Sequence, residues 1–481
     1  MNPSKYFYQT IVVIVISICS FLFFKTFLPK KIFTESKLNS KNVVVDSLLL
    51  EAIAEDSKIK IKDTINFSTI DYEIANGVKF PTETFEEFTG NQYLIPLFEK
   101  LYQLETNKTG NVRIAYFGDS MTDGDLIVKD FRMYLQEKFG GRGVGFVNIT
   151  SESANSRISL EHEFSKNWKT QSYLKVKKPS RSFGVNGHVF FANDTLNATW
   201  VKYKATNTKF ASELNKPTLF YGSSKNQNGK IVYISGDTIV KKLSPNANLN
   251  TLTLSEGNLK GIKINFKSAD SIPFYGVNFD DGKGVHVDNF SNRGNSGLPL
   301  GSFDITTMRA FQQKLNYDLI VLQYGANVLN YGTLDYSWYE RKMTNVVKHL
   351  KECFPGVAIL IISTADKATK YDLEMKTDSA VIPLNTAQKR YAIKSESGFV
   401  NLFTLMGGDG SMVKWVEEIP SKASKDYTHF NHRGAKDIAA LIYNQIYSGY
   451  ENYKKMRVSQ KTKTITKKDS TLLIKDSIHE E

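Results

Sequence analysis

The feature that most constrains the fold is an alternation of buried strands with amphipathic helices, which occurs in two separate parts of the 481-residue chain. It starts with the apolar run 112–117 and a helical pattern over 126–139. It resumes with a predicted strand at 285–290 and the apolar run 319–324, and further strand and helix patterns follow up to a closing helix that ends near residue 447. Such repetition predicts a mainly parallel sheet that is covered by helices on both faces.

The stretch between the two parts has a different sequence pattern. Residues 153–272 contain many short segments of strand-like alternation, separated by Asn, Asp, Gly and Ser, and no long helical pattern. This is typical of an antiparallel β-sandwich or jelly roll. A loop can carry a whole domain, because only the ends of the insertion must lie close together. We therefore predict a discontinuous α/β domain, residues 81–152 and 273–450, interrupted by an all-β domain at residues 153–272.

Both ends of the chain differ from this folded part. Residues 7–28 are predominantly apolar with Lys25 as the single charge, and the stretch can just cross roughly 30 Å of hydrocarbon as a helix. It is long for a signal-peptide core and no small-x-small cleavage site follows, so we interpret it as an uncleaved transmembrane signal anchor. The polar residues 29–80 suit a linker, and the basic tail 451–481 is predicted to be disordered.

Composition excludes several classes of function. The formal net charge of +13 is dispersed along the chain, which favours a lysine-rich solvated surface over a patch that attracts anionic surfaces. Basic patches with interleaved aromatic residues are missing from the sequence, so we predict no nucleic-acid partner. Cys19 and Cys353 cannot form a disulfide framework, and no Cys/His cluster has metal-ligand spacing, so we predict no metal site.

A candidate nucleophile stands where the first predicted strand ends. The triplet Gly118-Asp119-Ser120 follows the apolar run 112–117 directly. A serine at such a strand-to-helix turn can expose its hydroxyl above the edge of the sheet, near the positive end of the following helix. The alternative interpretation is that Ser120 is an ordinary helix cap.

A candidate base lies more than 300 residues downstream. Among the seven histidines, only His429 follows an aspartate, Asp426, at the i−3 position on a loop before a helix. A histidine there can take the proton of the Ser120 hydroxyl, and the carboxylate can hold the imidazole in the required tautomer. His432 is the nearest rival, but it is better placed to start the closing helix.

Two further segments follow predicted strands and carry potential hydrogen-bond donors. Gly294 comes after the strand at 285–290, and Asn327 ends a Gly-Ala-Asn segment after the strand at 319–324. A backbone N–H and a side-chain amide of this kind can stabilise the oxyanion that forms when a serine attacks a carbonyl. Glycine and asparagine also form turns with no further role.

Taken together and in this order, these blocks resemble the SGNH (GDSL-like) hydrolase family. The resemblance implies a flavodoxin-like three-layer fold with no cofactor. It implies Ser120 as the nucleophile, His429 as general base and then acid, and Asp426 as the residue that orients the imidazole. It further implies an oxyanion hole formed by the backbone amides of Ser120 and Gly294 and by the side chain of Asn327.

The all-β insertion narrows the resemblance. An SGNH domain split by a carbohydrate-binding-module-like sandwich resembles the bacterial peptidoglycan O-acetylesterases of the cell envelope. This implies an esterase on the periplasmic side of the membrane or at the cell surface. It would remove O-acetyl groups from an envelope polysaccharide, O-acetylated peptidoglycan foremost, through an acetyl-Ser120 intermediate. Two alternatives stay open: a polysaccharide O-acetyltransferase that uses the same residues, and a non-catalytic surface protein that binds glycans through residues 153–272.

Overall fold

The computed structural model divides the chain into two compact units, residues 1–43 and 44–481. It describes residues 12–18, 20, 46–56, 69–193, 198–235, 237–329 and 334–476. In the first unit, the described residues 12–18 and 20 are helical, and the remainder of the predicted anchor at 7–28 lies outside the described residues. Within the described ranges, no helix is both long and apolar enough to cross a membrane.

The second unit contains the helices and strands that were expected of an α/β chain with a β-rich interruption. The helices are α1 Ser47–Asp56, α2 Ile95–Asn107, α3 Val128–Phe139, α4 Ile305–Leu315, α5 Ser337–Cys353, α6 Val381–Lys394, α7 Leu402–Met406, α8 Ser411–Glu417 and α9 His432–Asp476. The strands are β1 Thr69–Ile70, β2 Glu83–Thr84, β3 Asn111–Gly118, β4 Gly145–Asn148, β5 Leu160–Phe164, β6 Lys169–Ser172, β7 His188–Phe191, β8 Thr199–Ala205, β9 Thr218–Gly222, β10 Lys230–Ser235, β11 Asp237–Lys242, β12 Leu249–Thr253, β13 Gly261–Lys267, β14 Pro273–Phe279, β15 Gly284–Asn289, β16 Leu319–Gln323, β17 Ala358–Ile362, β18 Ala368–Tyr371, β19 Glu374–Thr377 and β20 Gly398–Val400.

A five-stranded parallel sheet forms the centre of this unit. Its strand order is β15-β3-β16-β17-β20, and every neighbouring pair is parallel. Counted along the chain within this sheet, the order is 2-1-3-4-5, that of flavodoxin-like folds. Strands β3, β16 and β17 are almost continuously apolar and buried. Strands of that kind must be covered on both faces. The parallel pairing of all five strands confirms the predicted α/β architecture.

Strands β5 to β14 form two antiparallel sheets around a second hydrophobic cluster, and β14 does so although residues 273–279 were expected to belong to the α/β domain. Their strand orders are β11-β10-β13-β8-β5 and β12-β9-β14-β7-β6. Strand β4 pairs antiparallel with β14, with Gly276 opposite Asn148. The structure thus differs from the sequence-based expectation that the strand around 144–149 belongs to the α/β alternation, because the strand that it pairs with is β14 of the antiparallel layer. That residues 153–272 form a separate, carbohydrate-binding-module-like domain remains a prediction.

Two segments that were predicted to be a linker and a disordered tail are packed in part. Helix α1 buries Leu49 and Ala52 and contacts α5. At the other end, α9 continues past residue 451 because it finds partners on α2. Tyr453 donates a hydrogen bond to Glu99, and Arg457 Nε lies 2.7 Å from a Glu99 carboxylate oxygen. Scattered apolar and charged residues suffice for docking where a long-range partner exists.

Candidate active site

The site lies where the central strands end, at the carboxyl edge of the parallel sheet. Strand β3 ends at Gly118, and a Cβ at this position would lie 2.1 Å from Thr122 Oγ1, so any larger residue would displace the Thr122 hydroxyl from the turn. The next residue, Asp119, is buried, and its carboxylate accepts the Met121 N–H at 2.9 Å. This tight turn places Ser120 at the edge of the sheet, as expected for a serine between a strand and a helix.

Ser120, His429 and Asp426 form a continuous chain of hydrogen bonds. Ser120 Oγ lies 2.9 Å from His429 Nε2, and His429 Nδ1 lies 2.7 Å from Asp426 Oδ2. Asp426 Oδ1 accepts the backbone N–H groups of Thr428 and His429, both at 3.0 Å. An imidazole protonated at Nδ1 satisfies the carboxylate and leaves the Nε2 lone pair facing the serine hydroxyl.

The electrostatics of Asp426 keep its carboxylate ionised. Burial raises its pKa, but the hydrogen bonds from the His429 ring and from the His429 and Thr428 amides outweigh burial and lower the pKa to about 2. A negative charge at this point stabilises the imidazolium that forms when histidine accepts a proton. The side chains of His429 and Asp426 are 42% and 39% exposed, so the triad is open to solvent.

The structure also brings the two candidate donor segments to the same edge. Asn292 donates its N–H to Gly118 O at 3.0 Å, which places the loop after β15 beside the serine turn. Gly294 has a φ of 76°, a conformation that favours glycine. Asn327 Nδ2 donates to Asn295 O at 3.1 Å, which joins the two donor segments. A primary amide carries two N–H groups, so this bond leaves one N–H of Asn327 for a ligand.

Sequence reasoning missed the residues that hold this loop. Asn295 is buried and donates to the hydroxyl of Tyr173, at 2.9 Å, from the β-rich segment. Ser296 donates to the carboxylate of Asp46, and its carbonyl accepts the hydroxyl of Tyr339 at 2.7 Å. No local pattern marks these positions, because each is defined by a contact with a distant part of the chain.

Among the residues that the structure describes, no group of three or more His, Cys, Asp or Glu side chains is arranged to hold a metal ion. The polar groups at this edge of the sheet are a hydroxyl, an imidazole, a carboxylate and several amides. That set can perform nucleophilic acyl transfer with proton exchange between serine and histidine.

The buried carboxyl group of Asp119 predicts a pH-dependent stability. Burial raises its pKa from 3.8 to about 6, against hydrogen bonds from the Met121 and Gly325 amides. The folded protein therefore holds this proton more tightly than the unfolded chain. Protonated Asp119 contributes roughly 3 kcal/mol to the free energy of unfolding. This contribution is complete below about pH 4 and is lost as the pH rises through 6.

We expect Asp119→Asn to remove this pH dependence, since a neutral amide does not titrate. Urea unfolding of wild type and variant at pH 4, 5, 6 and 7 measures the difference. Wild type should lose stability relative to the variant between pH 4 and 7. Two curves that run parallel over that range would contradict the assignment.

Comparisons with known proteins support the fold. No family model matches the sequence, and no curated protein matches it. A solved structure of a peptidoglycan O-acetylesterase aligns with a TM-score of 0.61 and 19% identity, over 74% of this chain and 96% of that one. A Bacillus subtilis protein aligns with a TM-score of 0.30 and 12% identity, over 60% of this chain and 90% of that one.

A third solved structure is a Corynascus thermopiles (Myceliophthora fergusii) carbohydrate esterase of family 2 with a carbohydrate-binding domain. It aligns with a TM-score of 0.25 and 12% identity, over 59% of this chain and 99% of that one. TM-scores as low as those of the Bacillus subtilis protein and the family 2 esterase do not indicate a shared overall fold. The chain therefore shares its fold with the peptidoglycan O-acetylesterase, in agreement with the resemblance seen in the sequence.

Proposed function

We propose that the protein is an SGNH-type serine esterase that removes O-acetyl groups from an envelope polysaccharide, with O-acetylated peptidoglycan as its foremost substrate. The hydrogen-bonded chain from Ser120 through His429 to Asp426 carries this proposal. The shared fold with a peptidoglycan O-acetylesterase supports it. Because such glycans lie outside the cytoplasm, the proposal includes an extracytoplasmic location, with residues 7–28 as the membrane anchor.

In the proposed reaction, Ser120 Oγ attacks the acetyl carbonyl carbon while its proton passes to His429 Nε2. The negative carbonyl oxygen is stabilised by the amides of Ser120 and Gly294 and by the side chain of Asn327. Collapse of the tetrahedral intermediate breaks the ester bond, and the departing sugar oxygen takes the proton from His429. Water then attacks the acetyl-serine with His429 as base again, which releases acetate and restores Ser120.

A polar cavity beside the serine turn suits a sugar. It has a volume of about 230 Å³ and lies between the β-rich segment and the loop after β15. Its charged side chains pair with each other, Lys175 with Glu152 at 2.9 Å and Arg293 with Asp123 at 2.8 Å. The other lining groups are mainly hydroxyls and amides, which match a neutral, hydroxyl-rich ring.

His188 adds an acceptor to this cavity. Burial lowers its pKa, and its Nδ1 donates to Asn186 O at 2.8 Å. A neutral imidazole with that tautomer leaves the Nε2 lone pair for a sugar hydroxyl. We infer that a glycan unit next to the acetylated sugar occupies this cavity.

The test is acetate release by the full-length protein from O-acetylated peptidoglycan. Peptidoglycan from which the esters have been removed by mild base is the matched control, and acetylated xylan tests the glycan preference. We expect acetate from the first, none from the second and slower release from xylan. No acetate from any acetylated glycan would contradict an esterase, and faster release from xylan would contradict the peptidoglycan assignment.

The same assay separates hydrolysis from acetyl transfer. With an aryl acetate as donor and ester-free peptidoglycan as acceptor, an esterase yields free acetate and a transferase yields acetylated glycan. The half-exposed side chains of His429 and Asp426 give water access to the proposed intermediate, which favours hydrolysis.

Replacement of Asn327 tests the proposed oxyanion donors. We expect Asn327→Ala to lower kcat by roughly 10²–10³-fold, the usual effect of removing one such donor. Asn107→Ala, at the exposed end of α2, is the matched control and should leave the steady-state kinetics unchanged. A wild-type kcat in Asn327→Ala would remove this residue from the proposed machinery.

A further inference from the structure

A buried carboxylate in the approach segment contacts the loop that carries Gly294. Asp46 is 2% exposed, and its Oδ2 accepts both the N–H of Ser296, at 3.2 Å, and the Ser296 hydroxyl. Its other oxygen, Oδ1, accepts the N–H groups of Leu48 and Leu49 at 3.0 and 3.3 Å. One oxygen thus caps helix α1, and the other binds the loop.

Ser296 is well placed to transmit a constraint to the proposed oxyanion hole. It lies two residues after Gly294, and the carbonyl of the intervening Asn295 accepts the Asn327 amide. Its own carbonyl accepts the hydroxyl of Tyr339 from α5. A displacement of Ser296 would therefore move both the Gly294 backbone and the partner of Asn327.

Helix α1 is docked firmly enough to hold Asp46 in place. Leu49 and Ala52 are buried, and Glu55 forms an ion pair of 2.7 Å with Lys342 on α5. The carboxylate therefore approaches the loop from a fixed element and not from a free chain end. Fixed donors and acceptors of this kind are what preorganises a site for a developing charge.

We propose that Asp46 is a positioning residue, which holds the Gly294–Asn295 backbone in the geometry that stabilises the oxyanion. It acts through Ser296 and does not touch the substrate. This inference rests on the proposed esterase function. It also assigns a functional part to a segment that sequence patterns predict to be a linker.

Asp46→Asn separates the two contacts of this carboxylate. Asparagine caps helices as well as aspartate does, so its single oxygen can keep the α1 cap while its NH₂ faces the Ser296 N–H. We expect kcat on an aryl acetate to fall roughly tenfold, with KM changed less than about twofold. Serine also caps helices but is too short to contact Ser296, so Asp46→Ser should lower kcat to a similar extent with a similarly small change in KM.

A second readout reports the oxyanion hole directly. An aryl phosphonate that modifies Ser120 places a phosphoryl oxygen where the carbonyl oxygen of the substrate would develop its charge. The rate of this modification should fall in parallel with kcat in both Asp46 variants. Glu55→Gln removes only the exposed ion pair with Lys342, worth less than about 1 kcal/mol, and leaves the buried contacts of Leu49 and Ala52 in place. It is the matched control and should keep wild-type kinetics.

A double-mutant cycle decides whether Asp46 acts through Ser296. Ser296→Ala leaves the α1 cap intact and should lower kcat by itself. Asp46→Asn should then cause a smaller loss than it does in the wild-type protein, because only the backbone N–H of residue 296 still contacts Asp46 Oδ2. Fully additive losses, or wild-type kcat and phosphonate rates in Asp46→Asn, would overturn the inference. The proposed function fails separately, if Ser120→Ala remains active.

Discussion

Ser120→Ala is expected to lower acetate release from acetylated glycan by about 10⁴-fold or more, because alanine cannot form the acetyl-enzyme. The fold should be unaffected, since the Ser120 side chain is bonded through its hydroxyl to His429 and the tight turn rests on Gly118 and Asp119. Ser302→Ala, on the exposed surface, is the matched control. It should retain wild-type activity.

Mass spectrometry gives an independent measurement of the same prediction. Wild-type protein mixed with an aryl acetate and quenched in acid should carry an acetyl group on the peptide that contains Ser120. The Ser120→Ala protein should carry none there. A variant that keeps more than a few per cent of the wild-type rate would show that another group attacks the ester.

Arg113→Leu is expected to destabilise the fold strongly, because it removes a buried cation that joins two sheets. Arg113 is 3% exposed and lies on β3, where its Nε and one Nη bind Asp288 on β15 at 2.8 and 2.9 Å. Its other contacts, both at 2.5 Å, reach Asp280 and Asn278 at the end of β14. The guanidinium therefore bridges the parallel sheet and an antiparallel sheet.

Removal of this cation leaves buried carboxylates without their counter-charge. Although burial lowers the pKa of Arg113, the adjacent carboxylates of Asp288 and Asp280 raise it well above its usual value, so the group is charged when folded. Breaking a buried pair from one side costs about 3–5 kcal/mol. Lys202→Ala removes an exposed ion pair with Glu163 and should cost less than about 1 kcal/mol.

Urea unfolding followed by tryptophan fluorescence measures both variants. A midpoint for Arg113→Leu that lies close to that of Lys202→Ala would mean that solvent or local rearrangement compensates the carboxylates. A much lower midpoint for Arg113→Leu than for Lys202→Ala would establish the contacts of Arg113 as a major link between the two sheets.

Some of this architecture follows from local sequence patterns. The runs 112–117 and 319–324 are apolar enough to be recognised as buried strands, and the segment 285–290 resumes the alternation of strands and helices. The three strands occupy adjacent positions in the parallel sheet. The carboxyl ends of parallel strands meet at one edge, so residues that follow such strands can be expected to converge. Ser120 and the loops after β15 and β16 do meet there, and His429, from the loop before α9, contacts Ser120 as well. The catalytic roles of these residues remain predictions.

Other parts of the structure could not be read from local patterns. Whether strand β4 joins the parallel sheet depends on which distant strand offers it hydrogen bonds, and β14 lies more than 120 residues away. The docking of α1 depends likewise on an apolar surface that α5 provides. Periodicity describes which face of an element is apolar, but it does not name the partner of that face.

The sequence alone determined the alternation of strands and helices and the order of the polar blocks, because both depend on short-range spacing. Only the tertiary structure decided that Asp46 and Tyr173, from segments outside the predicted α/β domain, hold the loop beside Ser120. The physical reason is that a buried polar group must find a partner. That partner is selected by three-dimensional proximity and not by distance along the chain.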